Sequence, residues 1–204
     1  MIEITVNRSA LKQVETRLGK MKSQAPRALK NAINQTAKDA RKDLAKEAQE
    51  TYTIKNGGFN KAMKLHAASV SSLEAIIKAK GGPIPLKNFR VSKAGGQVRA
   101  QVLKSGGLKP LDKGGIKAFA NNIARKGQKR KKKTKKGAKG TGVRHMAVAQ
   151  RLTEKRLHIK ELYSNSVPMM IGNEDRVYGV VEPHIQENLQ RNVEEQVRRV
   201  LQGR

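Results

Sequence analysis

The 204-residue chain has no cysteine and no tryptophan, and aromatic residues make up only 3% of it. Without cysteine, a disulfide framework, thiolate metal sites and a cysteine nucleophile are excluded. Hydrophobic residues supply 37% of the chain, which predicts a thin core. The longest uncharged run, Leu162–Asn173, is twelve residues long and includes polar residues and a proline, so we expect no membrane span. Glu3 and Arg8 leave no room for the apolar stretch of a signal peptide, and we expect a soluble protein.

Acidic residues are also scarce, and their scarcity is local. The chain has 16 Asp and Glu against 44 Lys and Arg, a formal net charge of +28. Residues 1–74 carry 14 basic and 7 acidic side chains, and residues 154–204 carry 8 of each. Residues 75–153 carry 22 basic side chains and one acid, Asp112. A surplus this concentrated predicts a polyanionic partner.

The cationic charge is densest from Arg125 to Lys139, where ten of fifteen residues are basic and Ala138 is the only apolar one. Because nothing apolar offsets the charge repulsion, we expect an extended or disordered loop in the free chain. We interpret this basic run as a nonspecific contact with the phosphates of a nucleic acid; the alternatives are a solvated insertion that aids solubility and a targeting-like basic run that arises by chance. Scattered aromatic residues argue against base-specific readout. The candidate nucleic-acid-binding residues are Arg125, Lys126, Lys129, Arg130, Lys131, Lys132, Lys133, Lys135, Lys136 and Lys139.

Patterns that indicate catalysis or metal binding are missing from the sequence. The four histidines stand apart, with no HExxH pair to place two imidazoles on one helical face. Neither phosphate-binding glycine motif, GxxxxGK[ST] or GxGxxG, occurs, and the GxSxG nucleophile elbow is absent. We therefore expect a protein that is not an enzyme and has no catalytic, cofactor-binding or metal site.

The spacing of apolar residues predicts an α+β fold. Met1–Asn7 alternates apolar and polar residues as a strand does, and spacings of three and four from Leu11 to Ala48 predict a long helix broken near Pro26. Ser9 and Ser23 are the expected caps of its two parts. The second part has an alanine-rich stripe, which suits a flat partner such as a sheet or a neighbouring subunit.

Strands and a closing helix follow in the sequence. Strands are predicted over Leu73–Lys80, Phe89–Lys93, Gln97–Lys104, Ile116–Ala120 and Val143–Arg151, with a hairpin at Ala94–Gly96. A helix that opens at Asn173 is expected to be interrupted at Pro183. We expect one domain over 1–204: an N-terminal strand and helical arm (1–50), a mostly antiparallel sheet (72–151) with a basic insertion (125–142), and a C-terminal helix (173–202).

Two short stretches carry a more specific pattern. Gly82–Phe89 reads GPIPLKNF, and Leu157–Pro168 reads LHIKELYSNSVP. Together with the order of elements, they resemble the minor tail protein Z family of tailed bacteriophages. In that family a G/R-P-I-P-L-x-x-F stretch lies before the strands, and an L-P-I-x-E-L-x-G-P-S-V-P stretch lies before the C-terminal helix. The chain departs from the second at His158, where the family commonly has proline, and at Ser164-Asn165, which replace Gly-Pro.

The resemblance implies a non-enzymatic virion protein, made in the host cytoplasm, at the head-proximal end of the tail. Such a protein completes the tail and joins it to the DNA-filled head, next to other tail proteins and neck or connector proteins. There the basic run is expected to contact the phosphates of the phage genomic DNA. The thin core and proline-ended segments fit a subunit of a homo-oligomeric ring, for which six-fold symmetry would suit a tail. The candidate interface residues are Pro83, Pro85, Leu86, Phe89, Glu161, Leu162, Tyr163, Val167 and Pro168.

Two other interpretations fit the same charge. A host nucleic-acid-binding protein of ribosomal or nucleoid type would use it to bind RNA or DNA as a monomer. Alternatively, the basic run of a virion protein would dock onto an acidic face of a neighbouring tail or neck protein.

Overall fold

A computed structural model describes residues 2–6, 8–55, 58–112, 116–124, 144–153 and 158–203. The helices are α1 (Arg8–Leu18), α2 (Ala25–Thr51), α3 (Phe59–Ala62), α4 (Val167–Ile171) and α5 (Tyr178–Leu201). The strands are β1 (Ile2–Thr5), β2 (Met63–His66), β3 (Glu74–Ala79), β4 (Pro83–Pro85), β5 (Arg90–Ala94), β6 (Gln97–Gln101), β7 (Lys109–Pro110), β8 (Ala118–Ala124), β9 (Arg144–Arg151), β10 (Ile159–Glu161) and β11 (Tyr163–Ser166). The predicted α+β class is confirmed.

The chain divides into two compact units, whereas the sequence was interpreted as one domain. Unit 1 comprises Met1–Thr51, Gly57–Gly82 and Asn165–Arg204, and unit 2 comprises Tyr52–Asn56 and Pro83–Ser164. Among the described residues the strands form four small sheets instead of the single sheet that was predicted. Local periodicity identifies strands but says nothing about which strands pair, and this is why the number of sheets was missed.

Unit 1 is built around α2, whose buried face is rich in alanine. Ala25, Ala28, Ala32, Ala37, Ala40, Ala45 and Ala48 are all buried, together with Leu29, Ile33 and Leu44. This face packs against α5 and against the sheet of order β1-β3-β2. Small side chains let these partners approach α2 closely. The flat partner expected for the alanine stripe is therefore found within the same unit.

The break between the first two helices lies where it was predicted. A 3-10 segment, Gly19–Gln24, separates α1 from α2, and Gly19 has a positive φ of 53°. Pro26 is the second residue of α2, where a missing N–H costs no intrahelical hydrogen bond. The two predicted caps were wrong in position. Ser9 lies inside α1, and Ser23 lies inside the 3-10 segment because the chain stays helical up to α2.

The C-terminal part of unit 1 differs from the prediction at one of its two prolines. Pro183 lies in the second turn of α5 and does not end the helix. The proline removes one backbone hydrogen bond, and the many hydrogen bonds of the longer part of the helix after it are kept. Pro168, which ends the second resemblance stretch, lies in the first turn of α4, a favourable place for proline. Asn173 starts a series of turns before α5, in which its carbonyl accepts from the amides of Val177 and Tyr178 at 3.0 and 2.9 Å.

Unit 2 contains two three-stranded antiparallel sheets, of order β5-β6-β7 and β10-β9-β8. The hairpin between β5 and β6 turns at Gly95 and Gly96, whose φ values of 63° and 73° fit the type I′ turn that glycine favours. The core of unit 2 includes the fully buried Phe89 together with Val98 and Val148. The strands predicted for this region are confirmed with shifted ends, and β8 extends to Ala124.

Candidate nucleic-acid interface

The hairpin of β8 and β9 carries the basic run between its two strands. Its antiparallel register extends from Ala118 opposite Gln150 to Ala124 opposite Arg144, so residues 125–143, which include the run, connect the two strands. The candidate residues Arg125, Lys126, Lys129, Arg130, Lys131, Lys132, Lys133, Lys135, Lys136 and Lys139 lie outside the described residues. The structure therefore gives the geometry of the base from which the run departs.

Burial decreases along this hairpin toward the basic run. Ala118, Val148 and Ala149 are buried, while Asn121 and Met146, nearer to the run, are exposed, Met146 to 47%. The apolar end of the hairpin is thus fixed in the core of unit 2.

The charge imbalance of the chain coincides with the division into units. Unit 2 holds 24 of the 44 basic residues but only 3 of the 16 acidic ones. Many of its cations lie on described strands and turns. Those that are exposed are Lys55, Arg90, Lys93, Arg99, Lys104, Lys109, Lys117, Arg151 and Lys160.

Asp112 joins the two sheets of unit 2 through its carboxylate. Its Oδ2 accepts from the side-chain amide of Gln97 on β6 at 2.8 Å, and its Oδ1 accepts from the backbone amide of Ala118 at the start of β8 at 3.0 Å. The hydrogen bond from Gln97, then that from Ala118, and the nearby positive charge of Lys117 lower the pKa of Asp112 below its usual value despite some desolvation. The one acid of residues 75–153 is therefore used structurally, at the base of the hairpin that carries the run.

Sequence reasoning missed the polar face of β6 in unit 2. Gln97, Arg99 and Gln101 alternate with the buried Val98 and Ala100 along β6, so they share the polar face of that strand. This period of two was used to identify the strand. The same alternation predicts that Arg99 lies on the face of the strand opposite to the buried residues.

The candidate interface residues divide into buried and exposed groups. Leu86, Phe89 and Val167 are buried, with 6%, 0% and 8% of their surface exposed, so within the chain they serve as core. Pro83 and Tyr163 are exposed, Tyr163 to 52%. The remaining members, Pro85, Glu161, Leu162 and Pro168, are half-buried.

The two stretches that carry the family resemblance contact each other. The Leu86 amide donates to the Leu162 carbonyl at 3.0 Å, and the Leu162 amide donates to Val148 on β9 at 2.8 Å. β4 and β11 form a two-stranded sheet. The Tyr163 hydroxyl donates to a Glu161 carboxylate oxygen at 3.1 Å, and this bond raises the pKa of Tyr163.

A groove of about 290 Å³ in unit 1 has the opposite electrostatic character. It lies between α2 and α5, and its lining includes three acids, Asp43, Glu47 and Glu50, together with Lys46 and His184. Its acidic lining does not suit phosphates. Within the described ranges, no group of three or more His, Cys, Asp or Glu side chains is arranged to hold a metal ion. In the same ranges, no helix has the length and apolarity that a membrane span requires.

Comparisons of the chain with protein-family models, with curated proteins and with solved structures find no match.

Proposed function

We propose that the protein is a structural, non-enzymatic component of the head-proximal end of a bacteriophage tail, and that its unit 2 contacts the phosphates of the genome. The observation that carries this proposal is the segregation of charge. Unit 2 has 24 basic and 3 acidic residues, and its densest cationic stretch directly follows β8 of the β8–β9 hairpin. Binding through such a surface releases counterions from DNA and carries no sequence information.

The two resemblance stretches support the tail assignment. They are separated by most of unit 2 in sequence, yet Leu86 and Leu162 are hydrogen bonded at 3.0 Å. The two stretches therefore form one structural feature of unit 2, as expected if they serve one role. In the tail, the exposed Pro83 and Tyr163 would contact neighbouring copies in a ring, or neck and connector proteins.

DNA binding by the purified protein tests the electrostatic part of the proposal. In one variant, the seven basic residues from Lys129 to Lys136 are replaced by Gln. In the matched control, seven exposed basic residues of unit 1 are replaced: Lys12, Arg17, Lys20, Lys22, Arg27, Lys61 and Lys64. The slope of the logarithm of the binding constant against the logarithm of the salt concentration changes by about 0.9 for each phosphate contact that is lost. We expect the first variant to lose several such contacts. Equal slopes for the two variants would contradict the proposal.

Particle assembly tests the biological part. Particles assembled with the Lys129–Lys136 variant should retain less DNA and be less infectious than those assembled with the unit 1 control. Wild-type DNA retention and infectivity would show that the run is not a DNA contact. If infectivity falls while duplex binding is unchanged, the basic run docks onto an acidic protein instead.

The host-protein alternative is distinguished by what the native protein co-purifies with. A tail protein should be recovered with phage tails or as rings. A ribosomal or nucleoid protein should be recovered as a monomer bound to RNA or DNA and should be absent from purified virus.

A further inference from the structure

Arg90 and Arg99 lie on the same face of the β5–β6 sheet. Arg90 pairs with Gln101 and Ser92 pairs with Arg99, so the two arginines are diagonal neighbours. Such positions are separated by about 7–8 Å in an antiparallel pair. Both arginines are exposed, and the opposite face of the sheet carries the buried Val98 and Ala100.

The amide of Gln101 is fixed so that its oxygen faces Arg90. Its Nε2 donates to the carbonyl of Lys104 at 3.1 Å and to that of Gly106, two groups that can only accept. Its Oε1 accepts from Nη1 of Arg90 at 3.3 Å. Gln101 is 9% exposed, so reversing its amide would place its oxygen against two carbonyl oxygens in a nearly dry site.

Gln97 holds Arg99 in the same way. Its Nε2 donates to the Asp112 carboxylate at 2.8 Å, which leaves its Oε1 to accept from Nε of Arg99 at 3.3 Å. Each guanidinium thus donates one N–H to a glutamine oxygen, and the orientation of that oxygen is fixed by the hydrogen bonds that the Nε2 atom of the same glutamine donates. Of the five N–H groups of each guanidinium, the described residues engage one, and the ion pairs among those residues include neither arginine.

We propose that this arginine pair, Arg90 and Arg99, is a preorganised binding site for phosphates of a nucleic-acid backbone, separate from the basic run. The proposal rests on the proposed function, because it assumes that unit 2 meets DNA. Fixing an arginine before binding reduces the side-chain entropy lost on contact, and the guanidinium fork matches phosphate oxygens.

The surroundings favour a nucleic-acid backbone over an acidic protein surface. Unit 2 contributes 24 basic residues, which suits a long uniform polyanion better than a single acidic patch. Ser92, Ala94 and Pro110 share the face with the arginines and are small or rigid. Phe89, the neighbouring aromatic residue, is fully buried, so the face offers no ring for base stacking.

The test compares two double variants on the same sheet. Arg90→Gln with Arg99→Gln removes two charges from the polar face, and Lys93→Gln with Lys109→Gln removes two from exposed positions in register with the buried face. Fluorescence anisotropy measures binding of short duplex DNA over a range of salt concentrations. We expect the arginine variant to lower the log–log slope by about 1.8 and to weaken binding about thirtyfold at 0.15 M salt. The lysine variant should show less than half of this change.

Folding of each variant is checked by thermal unfolding, and Arg99→Gln alone provides a milder second variant, with an expected slope change of about 0.9. Equal effects of the arginine and lysine double variants would overturn the proposal, because the loss would then reflect net charge alone. A loss of binding to polyglutamate with unchanged binding to DNA would also overturn it, in favour of an acidic protein partner.

The Lys129–Lys136 variant separates this proposal from the proposed function. If that variant loses DNA binding while the arginine variant binds like wild type, the arginine site is wrong and the role of the run stands. If the arginine variant loses binding while the Lys129–Lys136 variant does not, the arginine site stands and the role of the run is wrong. Absence of duplex binding by the wild-type protein would overturn both.

Discussion

Individual polar residues determine how the two units of this protein are held internally. In unit 2, Asp112 connects Gln97 on one sheet to Ala118 on the other. In unit 1, Asn192 of α5 donates to the hydroxyl of Thr36 on α2 at 2.9 Å, and both residues are buried. A buried polar group without its partner is costly, so these contacts specify how the apolar surfaces around them pack.

Asp112 should make the stability of the protein depend on pH in the acidic range. Because its folded-state pKa is lowered, its contribution is fully present above the unfolded-state value near 4 and is lost as the pH falls through the folded-state value. We expect Asp112→Asn to be less stable than wild type at pH 6, and the difference to shrink as the pH falls below about 4. Thermal unfolding of both proteins across this range measures the difference. A difference that stays constant with pH would contradict this account.

The Thr36–Asn192 pair should be energetically coupled. Thr36→Val leaves the buried side-chain amide of Asn192 without this acceptor. Asn192→Ala removes the donor to the Thr36 hydroxyl, which still donates to the Ala32 carbonyl at 2.9 Å. Each change should lower the free energy of unfolding by about 1–3 kcal/mol. The double variant should cost less than the sum of the two, and urea unfolding of all four proteins measures the coupling. Gln35→Ala, at an exposed position of the same helix, is the control and should change stability by less than about 0.5 kcal/mol. Strict additivity would show that the hydrogen bond contributes nothing.

At the scale of elements, the start of α5 depends on a close backbone approach. The amide of Gly179 donates to the Glu174 carbonyl at 3.1 Å, and a Cβ on residue 179 would overlap that same carbonyl oxygen. This turn positions α5 against α2, the main helix pair of unit 1. Glycine is therefore required here by space, since no positive φ is involved.

Gly179→Ala should lower the free energy of unfolding by about 1–3 kcal/mol, because backbone atoms have to move. The usual effect of alanine in a helix is opposite, a gain of roughly 1 kcal/mol. Gly82→Ala is the control, since a Cβ there would meet open space. Chemical denaturation of both variants decides the matter. A stabilised Gly179→Ala variant would show that the turn relaxes freely.

The sequence predicted most elements because their periodicity is local. The alternation around Val98 and the glycine pair at 95–96 were sufficient to place the β5–β6 hairpin. Pro183 was misread because a proline's effect depends on which turn of a helix it occupies. The order β1-β3-β2 and the separation into two units depend on contacts between distant parts of the chain, which periodicity does not encode.

In the molecule as a whole, the uneven distribution of charge follows the division of the chain into two units. Unit 1 contains 13 of the 16 acidic residues, and unit 2 contains 24 of the 44 basic ones. Composition alone identified the basic run. Composition could not identify the arginine pair. The two arginines are held by Gln97 and Gln101, which are oriented by Asp112 and by a turn through contacts that exist only in the folded chain.

Lysine acetylation measured by mass spectrometry, with and without duplex DNA, reports on both units in one experiment and so shows which of them meets DNA. With DNA bound, the lysines of the basic run should lose reactivity, while exposed lysines of unit 1 such as Lys12, Lys20, Lys22 and Lys61 should keep theirs. The same pattern is expected in purified phage particles. Equal protection of both units, or protection centred on unit 1, would contradict the assignment of unit 2 as the surface that meets DNA.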